Sequence, residues 1–108
     1  MNEIEICTLN SFKWVLGEEA PKPMNWYDAK AWCKSINQEL PSREVLLMAY
    51  LNPETKNHFA VDSYWGSTES DSGYAWFQYF DTGNQYDYYT DIPNRVRAVR
   101  AIRVGEPS

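Results

Sequence analysis

Apolar and polar residues alternate along Ile4-Glu5-Ile6-Cys7-Thr8-Leu9, the period of a strand with one covered face. Phe12 to Leu16 predicts a second short strand, and Gly17 to Pro23, with Pro21 and Pro23, predicts a loop. The period then lengthens. Trp26, Ala29, Cys33 and Ile36 recur three or four residues apart, which predicts a helix over 26–36. Asn25 stands where an N-cap belongs, and Asp28 in the first turn suits the helix dipole. A second helix is expected over 42–51, with Ser42 as cap, Glu44 in its first turn, and Val45, Leu46, Met48, Ala49 and Leu51 filling it. Asn52-Pro53 is expected to end it, because proline pushes the preceding residue out of helical geometry.

After Phe59 short β-prone runs alternate with Gly, Ser, Asp and Asn. The runs are Tyr64-Trp65, Tyr74 to Phe80, Tyr86 to Thr90 and Arg95 to Val104. Asp71-Ser72-Gly73 and Asp81-Thr82-Gly83-Asn84 read as hairpin turns, where glycine takes positive φ at low cost. The order predicts one α+β domain over 1–108: two helices packed on a small curved antiparallel sheet with long loops. In 74–80, Trp76 and Phe80 share a parity expected to face the core, with Phe77 and Tyr79 facing away. Trp14, Trp26, Trp65, Trp76, Phe80, Val96 and Val99 are the expected core.

A chain of 108 residues supports one compact core. It carries five Trp, eight Tyr and four Phe, more than so small a domain can hide, so some should face a ligand. The net charge of −5 argues against direct binding of nucleic acid, which needs a basic footprint. No run of apolar residues is long enough to span a membrane. Met1-Asn2-Glu3-Ile4-Glu5 is acidic and has no apolar stretch of the kind that opens a secretory leader. The expected setting is cytoplasmic, or a virion assembled there. Cys7 and Cys33 are then expected as free thiols.

The segment Asn57 to Asn94 contains no Lys or Arg, but six acids and six tyrosines. Tyrosine gives rigid contact area with a polar tip. Acids beside it select a basic partner. The expected contact face is Tyr74, Tyr79, Gln85, Tyr86, Asp87, Tyr88, Tyr89 and Asp91. Arg95, Arg97, Arg100 and Arg103 form a basic end, expected to pair with acids and pin the last strand. His58, the only histidine, with Cys7 and Cys33 falls short of a structural zinc set. Cys33 shares a helix face with Trp26 and Ile36, which predicts a buried, inert thiol rather than a nucleophile served by His58. No enzymatic activity is expected.

Several segments together resemble a known family. They are Met24-Asn25-Trp26-Tyr27-Asp28-Ala29-Lys30-Ala31-Trp32-Cys33, then Glu39-Leu40-Pro41-Ser42-Arg43-Glu44-Val45-Leu46, then Tyr64-Trp65-Gly66-Ser67-Thr68-Glu69, Ala75-Trp76, Phe80, Gly83 and Arg95-Val96-Arg97-Ala98-Val99-Arg100. The series resembles the Lcl-type C-terminal domain family, found in bacterial surface proteins and in phage and prophage genes. The match runs from about Trp14 to Arg100.

The resemblance implies a C-type-lectin-like fold, in which helices and outer strands are scaffold and the segment before the final strand carries the ligand surface. It implies recognition of protein or glycan. The family often places a second cysteine in the final strand. Here that place holds Ala98, which leaves Cys33 without that partner. The family's Trp-Ser-Ser-Thr is here Trp65-Gly66-Ser67-Thr68, a change expected to loosen a turn.

Formylglycine-generating enzymes share the fold, but their chemistry needs paired cysteines near the C-terminus, and none follows Cys33 here. Calcium is not expected. Asp81, Asn84, Asp87 and Asp91 carry oxygen donors, but Asn52-Pro53-Glu54 and Ile92-Pro93-Asn94 depart from the lectin calcium loop. The expected function is a phage-type module that binds a host protein with a basic surface, an inhibitor of a host defence or nucleic-acid-binding complex being one form. The alternative is a glycan-binding domain of a virion or cell surface.

Overall fold

The computed structural model describes residues 3–104. Side-chain caps set its helices. Asn25 Oδ1 accepts from the Asp28 N–H at 2.8 Å, and α1 follows over Trp26–Ser35. Ser42 Oγ accepts from the Val45 N–H at 3.2 Å and starts α2, Arg43–Leu51. Both helices stand within a residue of their expected bounds. α2 ends at Leu51, before Asn52-Pro53, as expected, but Pro53 also opens a further helix that the sequence reading did not anticipate. It takes the first position of a third helix, α3 (Pro53–Lys56), capped by Asn52. Proline fits there because its missing N–H would have no intrahelical partner anyway. Thr55 on α3 is fully buried and donates its hydroxyl to the Ala49 carbonyl at 2.8 Å, which docks α3 on α2.

The strands form two three-stranded antiparallel sheets, not the single sheet expected. One joins β1 (Glu5–Leu9), β2 (Phe12–Glu19) and β6 (Arg97–Arg103) in the order β1-β2-β6. The other joins β3 (Ser63–Asp71), β4 (Tyr74–Tyr79) and β5 (Gln85–Tyr89) in the order β3-β4-β5. A short parallel bridge, Tyr64 to Arg95, ties β3 to the chain just before β6. Arg95 therefore stands outside the final strand that was expected to include it.

β2 also runs past Gly17, into the expected loop. Gly17 is tolerated in the strand because two other segments crowd it. A Cβ at this position would overlap Gln38 Oε1 and lie 2.7 Å from the Ala98 carbonyl oxygen. Gly73 and Gly83, at φ of 78° and 80°, turn the two hairpins as their positions predict.

Two apolar clusters make the core. α1 contributes Trp26, Ala29 and Cys33 to one, against Trp65, Ala75, Phe77, Val96 and Ala98. α2 contributes Val45, Leu46 and Ala49 to the other, against Ile6, Phe59, Tyr64, Phe80 and Val99. The β3–β4 hairpin is thus covered on both faces. The expected parity along 74–80 holds for Phe80, which is buried, and for Tyr79, which is exposed. Phe77 is buried as well, and Trp76 is half-buried, as is Trp14.

Gly66 lies within β3 and is buried, so it loosens no turn. Its carbonyl accepts the Trp26 indole N–H at 2.8 Å, while the Trp65 indole donates to the Met24 carbonyl at 3.0 Å. Each buried indole thus finds the acceptor it needs. Among the described residues, no helix is long and apolar enough to cross a membrane.

Candidate functional site

β5 is the outer strand of its sheet and follows the Gly83 turn. Its only half-buried residue is Gln85; Tyr86 through Tyr89 are exposed. The polarity of this run, too high for a core strand, matches where the structure places it.

Register with β4 divides the expected contact residues between two faces. Phe77 pairs with Tyr86 and Ala75 with Tyr88, so Tyr79, Tyr86 and Tyr88 share one face with Phe77. The Tyr79, Tyr86 and Tyr88 rings lie 5.2, 6.2 and 5.9 Å from the Phe77 ring. Three phenols therefore surround a buried Phe77 and remain 39%, 50% and 43% exposed. Tyr74, Gln85, Asp87 and Tyr89 belong to the opposite face, where Tyr74 and Tyr89 rings pack at 5.0 Å. Asp87 Oδ2 accepts from Ser70 Oγ at 2.8 Å. Asp91 is exposed in the turn after β5. The single contact face expected from the sequence is thus two faces of one edge strand.

Gln85 departs from its expected role. Its Nε2 donates to the Gln78 Oε1 and to the Arg43 carbonyl, both at 2.7 Å, and its Oε1 accepts from Arg43 Nε at 2.9 Å. Gln78 is fully buried and donates its own Nε2 to the Leu46 carbonyl at 2.7 Å. The Arg43 guanidinium lies 3.6 Å over the Trp76 ring. Gln78, Gln85 and Arg43 thus clamp β5 to α2. Gln85 positions the strand and does not face a partner. Sequence reading missed Arg43 and Gln78, since one amide in an aromatic strand carries no sign of which neighbours it bonds.

At the basic end Arg95, Arg97 and Arg100 pair with acids as expected, while Arg103 packs on an aromatic ring instead. Arg95 reaches Glu19 at 2.9 Å and Asp62 at 3.1 Å, Arg97 lies 3.6 Å from Glu19, and Arg100 lies 2.8 Å from Glu3. Arg103 covers the Phe12 ring at 5.2 Å. The hydrogen bond from the Ser63 N–H, helped by Arg95, holds the Asp62 carboxyl below the usual carboxylate range.

The fully buried Tyr64 adds its hydroxyl to the same network. It donates to Glu19 Oε1 at 2.9 Å and accepts from the Ala60 N–H at 2.9 Å. Burial, then the Glu19 carboxylate, pushes this phenol up to about 12. A raised folded-state value leaves stability whole below the unfolded value, near 10, and removes it as pH rises toward 12. Unfolding free energy should therefore fall by about 2–3 kcal/mol across that alkaline window. In Tyr64→Phe the starting stability is lower, because the Ala60 N–H loses its acceptor, but the alkaline slope should flatten. Chemical denaturation at stepped pH measures both.

Both cysteines are free, as expected, and Cys7 is buried as well as Cys33, for which burial was expected. Burial pushes the Cys33 thiol up to about 12, so it is protonated and poorly nucleophilic at neutral pH. His58 is exposed at the chain turn after α3. Among the described residues, no three His, Cys, Asp or Glu side chains gather as a metal-holding group. No family model matches the chain, and no curated protein matches it significantly.

Proposed function

We propose that the chain is a non-enzymatic recognition module that binds a basic protein surface through the tyrosine-rich, acidic face around β5. In this proposal it is a C-type-lectin-like domain similar to the Lcl-type family, of phage or prophage type. Its partner is a host protein, with inhibition of a host defence or nucleic-acid-binding complex as one outcome.

One observation carries the proposal: Tyr79, Tyr86 and Tyr88 stand in solvent around Phe77, in a segment free of Lys and Arg from 57 to 94. Exposed aromatic clusters of this kind mark interaction sites. The carboxylates of Asp87, on the other face of the same edge strand, and of Asp91, exposed in the turn after it, favour a cationic partner and speed encounter with it.

Affinity capture from a bacterial host lysate tests it. A partner should be retained at about 0.15 M salt and released as salt rises, since exposed charges are screened. Replacing Tyr86, Tyr88 and Tyr89 with alanine should weaken that binding about 100-fold or more. The melting temperature should change little, because all three side chains are exposed. A large fall in melting temperature would instead make them structural. Hits on a glycan array with no protein captured would transfer the face to sugar binding.

The family resemblance has its own test. Cys33 and Ala98 lie in one apolar cluster. Ala98→Cys should form a disulfide with Cys33 in air, leave only the Cys7 thiol to titration, and gain about 2 kcal/mol. Three thiols persisting after oxidation would count against the resemblance.

A further inference from the structure

We propose that β5 is a strand-addition site: a basic, extended segment of the partner lies along its outer edge and pairs with it main chain to main chain. This rests on the contact-face proposal above and states how that face is engaged.

The hydrogen-bond phase along β5 fixes which groups look outward. The Tyr79 N–H donates to the Asn84 carbonyl at 2.9 Å, and the Thr90 N–H donates to the Gly73 carbonyl at 3.0 Å. Antiparallel pairs alternate between bonded and non-bonded. With Ala75 opposite Tyr88 and Phe77 opposite Tyr86, the main chains of Tyr86 and Tyr88 therefore point into β4. Those of Gln85, Asp87 and Tyr89 point away from it. Among the described residues, none of these three N–H groups has an acceptor. The Tyr89 carbonyl takes the Ile92 N–H at 3.2 Å, and the carbonyls of Gln85 and Asp87 remain open. An unfilled ladder edge of this length is a template for another strand.

The side chains decide what fills it. Natural edges are commonly blunted with lysine or proline, and β5 has neither. It has Asp87 at its centre. A second copy of the chain, paired antiparallel about a two-fold axis through Asp87, would set one carboxylate against the other. Like charges directly opposite destabilise a ladder, whereas lysine or arginine there would stabilise it. The edge therefore repels itself and admits a basic strand.

An added strand would meet Gln85, Asp87 and Tyr89 on one face and Tyr86 and Tyr88 on the other. Its sequence should alternate, with cations facing Asp87 and apolar or cationic side chains lying on the phenol rings. The clamp from Gln85 to Arg43 and Gln78 already holds the strand in place, which lowers the ordering cost of binding.

The test uses the full chain, labelled with nitrogen-15, and a blocked peptide of about seven residues alternating lysine and valine, long enough to cover β5. Amide exchange at Gln85, Asp87 and Tyr89 should slow about tenfold or more on binding, with Tyr86 and Tyr88, already paired, unchanged. Asp87→Asn should weaken binding several-fold. Asp87→Pro, which also removes the central outward N–H, should weaken it about tenfold further. The exchange result on the unmodified chain stands even where the proline variant fails to fold.

Peptide binding that perturbs the phenol rings but leaves the three amides exchanging freely would overturn strand addition and leave the contact face standing. An alternating glutamate–valine peptide binding as tightly would overturn the charge selection. Protection of the same amides that grows with protein concentration alone would make a second copy the occupant. Absence of peptide binding beside intact, tyrosine-dependent lysate capture would sink this inference only, and absence of both would sink the contact face too.

Discussion

Gly17→Val is expected to destabilise the protein by about 4 kcal/mol, at the upper end of what overpacking costs. The position is inside β2, with Leu16 paired to Val99 of β6 and a register shift before Glu19 meets Arg97. The first added carbon would overlap Gln38 Oε1, would lie 2.7 Å from the Ala98 carbonyl oxygen, and would lie 2.9 Å from its carbon. Gln38 can swing away, at the loss of the hydrogen bond it accepts from the Glu18 N–H at 3.0 Å. Ala98 cannot, because its backbone belongs to β6 and its side chain is fully buried. β2 and β6 must part instead. A domain of this size should lose roughly 15–25 °C of melting temperature. The double variant Gly17→Val with Gln38→Ala separates the two obstacles. It should recover little of the loss, and near-complete recovery would show that only the flexible amide stood in the way.

Gln78→Ala is the second large effect, also about 4 kcal/mol. The Gln78 side chain is fully buried, and its removal opens a cavity between β4 and α2. It also takes one hydrogen bond from each of two partners, the Leu46 carbonyl and the Gln85 amide, at about 1 kcal/mol apiece. Urea unfolding at neutral pH measures the total. Gln78→Glu gives a sharper comparison. It keeps the volume, but a buried carboxylate would face the Leu46 carbonyl, so this variant should be least stable near neutral pH and recover on acidification as the carboxyl takes a proton. Equal stability at both pH values would mean that Gln78 is not held where the hydrogen bonds place it.

Local rules made part of this fold legible. Asn25 and Ser42 cap the helices whose apolar periods announce them, and Gly73 and Gly83 turn the hairpins where strands were expected on either side. The losses have specific physical causes. α3 went unread because proline both ends and begins helices, and here it does both: α2 stops at Leu51 and the Asn52 cap starts the next helix at Pro53. Gly17 was read as a loop because the atoms crowding it come from Gln38 and Ala98, far away in sequence. Parity failed at Trp76 and Phe77 because it assumes one covered face, while α1 and α2 cover both.

At the candidate site, the exposure of Tyr86 to Tyr89 was legible from polarity. The inward turn of Gln85 was not, since an amide serves a buried network as readily as a surface. The split of the tyrosines between two faces follows from register with β4, which no local pattern fixes.

β5 joins its sheet through β4 alone, and its last four side chains are exposed, the three tyrosines by 43–51%. Their identities are thus only loosely coupled to the folding free energy. A library randomised at 86–89 should yield mostly well-folded members that differ in what they capture, so this scaffold can acquire new binding specificities without loss of stability.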